Sequence, residues 1–204
     1  MTTIVYKKSY FAPPIDRTEA LRYAGVRGDA PEISALLNEC ISEAMAHLSY
    51  KLCYAYYPIS RDGGRLNLGF AEVCSDRLAA HLDGCHGVIL LAATIGISFD
   101  RLVAREIKVS PTKALLLDGL GAERIEALCD LFCLEEAEVL AKSGETLTNR
   151  FSAGYGDLSL EFQRDIFELL DCQRKIGLTL SDSLLMSPTK SVTAIVGYQS
   201  EENK

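Results

Sequence analysis

The sequence predicts an α+β fold, a mainly antiparallel twisted sheet with helices packed against it. Three observations predict it. His86 to Ala93, "HGVILLAA", is continuously apolar, as a buried central strand would be. Shorter stretches alternate with a period of two. Long segments between them repeat apolar residues three and four apart, and strand and helix alternate irregularly.

In chain order, Thr2 to Tyr10 alternates like a strand, which Pro13 and Pro14 end. Asp16 to Tyr23 is a short helical stretch. Pro31 opens a helix at the position where its missing N–H costs nothing. Ile33, Leu36, Leu37, Cys40, Ile41, Ala44, Met45 and Leu48 form its apolar face. Leu52, Tyr54 and Tyr56 alternate with their neighbours, and Leu66, Leu68 and Phe70 do so beyond the "DGG" break, which reads as a β-hairpin. Ser75 is placed to cap a short helix carrying Leu78 and Leu82. After the central strand, "TIGISFDRLVAREI" reads as a turn and a helix.

Pro111 opens a long helix to about Lys142, ended by Gly144, with Ile125, Leu128, Leu131 and Phe132 on its apolar face. Gly119 and Gly121 lie inside it. Each costs up to about 1 kcal/mol relative to alanine, so close packing against another element is expected there. Leu160 to Ile176 is helical and Gly177 stops it. "LTLSDSLLMSPTK" reads as irregular, and "SVTAIVGY" is a closing β-branched strand.

Composition narrows the function classes. The chain has 204 residues, 48% of them hydrophobic, enough for one sizeable core. Its formal net charge is -7, and no Lys/Arg run occurs, which argues against nucleic-acid or anionic-membrane binding. The N-terminus is too polar for a signal peptide and no apolar run reaches membrane-span length, so a cytoplasmic location is expected. The seven cysteines are odd in number, scattered and without C-x-x-C. They are expected to be reduced apolar fillers, Cys129 and Cys133 included.

The familiar catalytic sets are missing. His47, His81 and His86 have no metal-ligand partner four residues on, and G-x-S-x-G, P-loop and H-E-x-x-H patterns do not occur. "VILLAATIGIS" supplies half a dinucleotide-binding motif, but the second and third glycines are missing. The stretch that does suggest chemistry is residues 150–163, "RFSAGYGDLSLEFQ". Glycines let a ligand approach the main chain. Arg150 offers a planar fork for a carboxylate, and Tyr155 a flat ring and a hydroxyl. Asp157 or Ser159 is placed to cap the next helix. The local chemistry suits a zwitterion with a carboxylate and an aromatic or heterocyclic part. A plain loop before a helix is the alternative reading.

This turn resembles that of the activation domain of cobalamin-dependent methionine synthase, whose pattern is Arg-x-x-x-Gly-Tyr. The segment beyond it matches the same family: Leu180, Ser181, Asp182 and Ser183, then Met186 and Pro188, then Ser191, Val192 and Thr193, in family order. "ATIGISFDRLVAREI" and "LLLDGLGAERIEALCD" resemble the family's middle segments. The likeness covers residues 85–200 well and 1–84 loosely, within one domain of residues 1–204.

The resemblance implies a compact, stand-alone domain of the activation-domain fold. It implies binding of S-adenosylmethionine and support for reductive methylation of inactive cob(II)alamin. The cobalamin would be carried by a partner, a corrinoid-binding methionine synthase core, with a flavodoxin-like or other one-electron donor. By the same likeness Arg150 would hold the ligand carboxylate, and the main chain at Ser152 and Gly154 its polar groups. Tyr155 would sit between ligand and corrin, and Glu135, with Glu136 as the other candidate, would hold the ligand amine. The alternatives are a non-Rossmann small-molecule methyltransferase, a reactivator of another corrinoid protein, and a domain that kept the fold and lost the ligand. An Arg150 occluded or paired with an acidic neighbour would mark the last.

Overall fold

A computed structural model describes residues 3–28, 30–62 and 65–201. The chain runs β1 (Tyr6–Ser9), α1 (Arg17–Tyr23), α2 (Pro31–Ala44), β2 (Lys51–Pro58), β3 (Ser60–Asp62), β4 (Arg65–Asn67), β5 (Glu72–Val73) and α3 (Asp76–His81). It continues through β6 (Gly87–Thr94), α4 (Ile97–Val109), α5 (Pro111–Ala141), β7 (Glu145–Leu147), α6 (Phe162–Leu170) and α7 (Cys172–Ile176). It closes with β8 (Thr179–Leu180), β9 (Met186–Ser187) and β10 (Ser191–Ser200).

The main sheet has five strands in the order β1-β2-β6-β10-β7, and every pairing is antiparallel. All eight residues of β6 are buried, because helices cover both faces of the sheet. Its alternate residues divide between two cores. Ile89, Leu91 and Ala93 pack with α1, α2, α4 and α5. Val88, Leu90 and Ala92 pack with α3, α6 and α7. An α+β fold with a mainly antiparallel sheet is therefore what the chain forms.

The helix starts are set by residues at their ends, Asp16 among them as a cap rather than the first helical residue. Asp16 accepts N–H bonds from Thr18 at 2.9 Å and Glu19 at 3.1 Å and opens α1. Ser75 accepts from the Leu78 N–H at 3.0 Å and opens α3. Pro31 and Pro111 are the first residues of α2 and α5. Leu37, Cys40 and Ala44 of the predicted α2 face are buried, while Met45 is half exposed just past the helix end.

Three expectations differ from the structure, and one strand, β7, was not read at all. The hairpin does not join Leu52–Tyr56 to Leu66–Phe70. β2 pairs instead with β1 and β6, and the chain breaks near Pro58 to form the small sheet β3-β4-β5. The turn signal still acts, because β3 and β4 pair across the break from Asp62 to Arg65, but β2, with a partner on each side, is not the strand it joins. Gly63 and Gly64 of that turn lie outside the described residues, as does Thr2 at the N-terminus. The helix expected over 160–176 is two helices, hinged at Asp171, which is left-handed at φ 49°. The apolar spacing shows why. Phe162, Ile166 and Leu170 step by four, then Cys172 follows by two, a slip that one helical face cannot absorb. The segment read as irregular holds the two-stranded ribbon β8-β9. The edge strand β7 has no alternation to announce it and is held by β10.

Candidate functional site

The turn at 151–158 is fastened to the sheet before it is shaped by its glycines. Phe151 and Ile195 of β10 exchange backbone hydrogen bonds at 2.9 and 2.8 Å. The Ser152 hydroxyl donates to the Thr193 carbonyl at 3.0 Å. The chain then folds on itself: Tyr155 N–H to Ser152 O, Leu158 N–H to Tyr155 O, and Gly154 N–H to Leu158 O at 2.9 Å. Gly154 has φ 85° and Gly156 φ 61°, conformations in which a side chain is strained. The Gly154 N–H is thus taken up inside the turn. Its carbonyl and the Ser152 N–H carry no hydrogen bond among the described residues.

Asp157 does not cap the helix that follows it. Its carboxylate accepts from the Ser75 hydroxyl, from the Asp76 N–H at 2.8 Å and from the Arg77 N–H at 3.3 Å. It therefore clamps the turn to the N-terminus of α3, whose first N–H groups have no partner within the helix. Ser159 accepts from the Glu161 N–H at 3.2 Å, and α6 has no side-chain cap. The Ser75 hydroxyl, then the two backbone N–H groups, hold the Asp157 carboxyl below its ordinary value. A carboxyl lowered in the folded state stabilises above the unfolded-state range, and that contribution is lost as pH falls through the folded value. Asp157→Asn is therefore expected to lower Tm at pH 7, with the gap to wild type narrowing only as pH falls below the ordinary carboxylate range; a pH-independent gap contradicts the clamp.

The two conspicuous side chains of the motif point in different directions. Tyr155 is 68% exposed, and its ring rests edge-on against Phe151, with centroids 5.3 Å apart at 85°. Phe151 belongs to the core on the α3 and α6 side. Arg150 faces α5 instead. Its guanidinium donates to Asp130 at 2.6 Å and to Glu126. Asp130 and Glu126 are one helical turn apart, so both meet one fork. Arg150 is thus paired with acidic neighbours, the arrangement expected of a domain without the ligand.

Glu135 and Glu136 lie elsewhere. Glu135 accepts from the Tyr10 hydroxyl at 2.9 Å and pairs with Lys8 at 3.4 Å. Glu136 is buried, pairing with Lys8 at 2.8 Å and accepting from the Tyr56 hydroxyl. At about 100° per residue, Glu135 is half a helical circumference from Glu126. The structure does not bring it to Arg150.

The carboxylates around Arg150 border a groove of about 380 Å³ between the 13–23 segment and α5, lined in part by Asp16, Glu19, Tyr23, Glu123, Glu126 and Asp130. Sequence reasoning missed it. The groove depends on Arg124, which is fully buried in α5. Arg124 donates to the carbonyls of Pro13 at 2.6 Å and Pro14 at 2.7 Å and pairs with Glu123, which also accepts from the Asp16 N–H at 3.0 Å. A signal was available. Leu116, Leu120, Arg124 and Leu128 form one i, i+4 stripe, and an arginine inside an apolar stripe needs buried partners.

The histidines have local partners: Ser98 for His47, the Asn149 carbonyl for His81 and Glu145 for His86. Among the described residues no group of three His, Cys, Asp or Glu is placed to hold a metal ion, and the cysteines are free. No helix of the described residues is long and apolar enough to cross a membrane.

Fold and turn define an α+β module, a two-faced antiparallel sheet carrying an arginine-glycine-tyrosine turn beside its β10 strand. Residues 134–203 match the family model described as vitamin B12 dependent methionine synthase, activation domain. A crystal structure of the MetH reactivation domain bound to AdoHcy has the same fold, with a TM-score of 0.68 and 17% sequence identity. That likeness covers 95% of this chain and 78% of the other. A search of curated proteins found no match. The activation-domain resemblance read from the sequence is thus shown, by sequence pattern over the last third and by fold over nearly the whole chain.

Proposed function

We propose that the chain is an S-adenosylmethionine-binding activation subunit that works with a corrinoid-binding methionine synthase core. The observation that carries this reading is the Arg150–Tyr155 turn, lying inside the stretch that matches the activation-domain family. S-adenosylmethionine would supply a methyl group, and a flavodoxin-like or other one-electron donor an electron, to return cob(II)alamin on the partner to its methylated form. The protein's own part is binding and orientation.

The residues fit such a ligand. Arg150 takes the carboxylate, giving up an ion pair with α5 to do so. The Ser152 N–H and the Gly154 carbonyl lie in the same turn for polar contacts. Exposed Tyr155 presents a ring toward the corrin. The side of the acidic groove away from Arg150, with Asp16 and Glu19, suits the cationic sulfonium and amine, and it takes over the amine role assigned by likeness to Glu135. Direct support for the function is an assay with the cob(II)alamin form of a methionine synthase core that has no activation domain. Restored turnover that needs this chain, S-adenosylmethionine and the reductant together is the expected result. Restoration without this chain contradicts the proposal.

The paired Arg150 favours one second reading, a domain that kept the fold and lost the ligand. On that reading the ion pairs are permanent and S-adenosylmethionine does not bind, alone or with the partner.

A further inference from the structure

The Arg150 ion pairs have a use if the ligand is kept. We infer that Asp130 is a built-in competitor for the ligand carboxylate, an exchangeable carboxylate that occupies Arg150 until the ligand displaces it. The inference rests on the S-adenosylmethionine reading and adds regulation to that site.

The two partners of Arg150 are not equivalent. The Asp130 side chain is 72% exposed and that of Glu126 38% exposed, while the Arg150 side chain is only 21% exposed. Releasing Asp130 returns a carboxylate to water that already surrounds it, and an exposed ion pair of this kind contributes little. Releasing both would leave a largely enclosed guanidinium without its partners, which is much less favourable. The groups facing Arg150 include Cys129 and Cys133 on the same helix. Burial pushes both thiols up, so neither supplies a replacement negative charge. An incoming carboxylate at the Asp130 position therefore keeps Arg150 paired throughout: Glu126 stays, and one carboxylate replaces another. The apparent affinity is reduced by the fraction of molecules in which Asp130 holds the site.

The test is a calorimetric titration of wild type, Asp130→Asn and Arg150→Ala, and of the double variant. The probes are S-adenosylmethionine, S-adenosylhomocysteine and the analogue of S-adenosylmethionine without its carboxylate. Asp130 is exposed, and thermal melts confirm that its variant is folded. The expected result is that Asp130→Asn tightens both carboxylate-bearing probes by roughly two- to fivefold, the size of an exposed ion pair. It does not tighten the third probe, which has no carboxylate for Arg150, and the gain vanishes in the Arg150→Ala background. Binding by Asp130→Asn where wild type shows none supports the inference more strongly. Wild-type binding that Asp130→Asn leaves unchanged or weakens overturns the inference alone. No binding of any probe by either protein, with and without a corrinoid methionine synthase core, overturns the ligand reading and the inference together.

Discussion

Replacing Arg124 by alanine is expected to destabilise the protein by about 3–5 kcal/mol, the effect of breaking one side of a buried ion pair. Two carbonyls, Pro13 and Pro14, lose their donor, and buried Glu123 loses its countercharge. A cavity the size of a large side chain adds to this. For a chain of this length each kcal/mol shifts Tm by about 2–4 °C, so a fall of roughly 6 °C or more is expected in a thermal melt. Arg124→Lys retains a charge but cannot reach two carbonyls and the carboxylate with one planar fork, and is expected to lie between. The effect reaches the candidate site, because Arg124 fixes the 13–16 segment that walls the acidic groove. A melt within about 1 °C of wild type, less than the shift for 1 kcal/mol, contradicts the structural role assigned here.

The second large effect runs against intrinsic propensity. In an exposed helix, glycine to alanine stabilises by about 1 kcal/mol. Gly119→Ala is expected to do the opposite here. A Cβ at this position would lie 2.5 Å from the Ala20 carbonyl oxygen and 2.6 Å from the Ala24 nitrogen of α1. Both are backbone atoms, so α1 as a whole has to move away from α5. Overpacking of this kind costs about 1–3 kcal/mol. The gain from helix propensity offsets only part of it, so Tm falls, as a thermal melt will show. An unchanged or raised Tm means that α1 yields freely, and that Gly119 is not there to let the two helices meet.

Both effects show how far the sequence could be read. The central strand, the short helix α1, the capped helix α3, and the proline-started helices α2 and α5 were legible because each carries its signal within a few residues. So was the close packing behind Gly119. The hairpin was read with the wrong first strand because nothing local in Leu52–Tyr56 distinguishes a partner across a turn from β6, thirty-odd residues on. The Asp157 cap was assigned to the wrong helix for the same reason. A carboxylate beside a helix start in sequence was drawn instead to a helix start in space. The turn itself was legible through Arg150, Gly154 and Tyr155, and its likeness to activation domains is matched over 134–203. Its surroundings were not. That Arg150 meets Glu126 and Asp130, and that Glu135 faces Lys8 and Tyr10, depends on the rotation of α5 about its axis. Spacing along a helix fixes which residues share a face, and only tertiary packing fixes what that face meets.

The central claim is that the 150–155 turn binds S-adenosylmethionine through Arg150. The measurement that tests it most directly is a calorimetric titration of the chain with S-adenosylmethionine, beside Arg150→Ala, each with and without a corrinoid-binding methionine synthase core. The account predicts saturable wild-type binding in the micromolar range, on the order of -8 kcal/mol, weakened by Arg150→Ala at least tenfold, about 1.4 kcal/mol. Equal binding by both proteins, or binding by neither even with the core present, would contradict it.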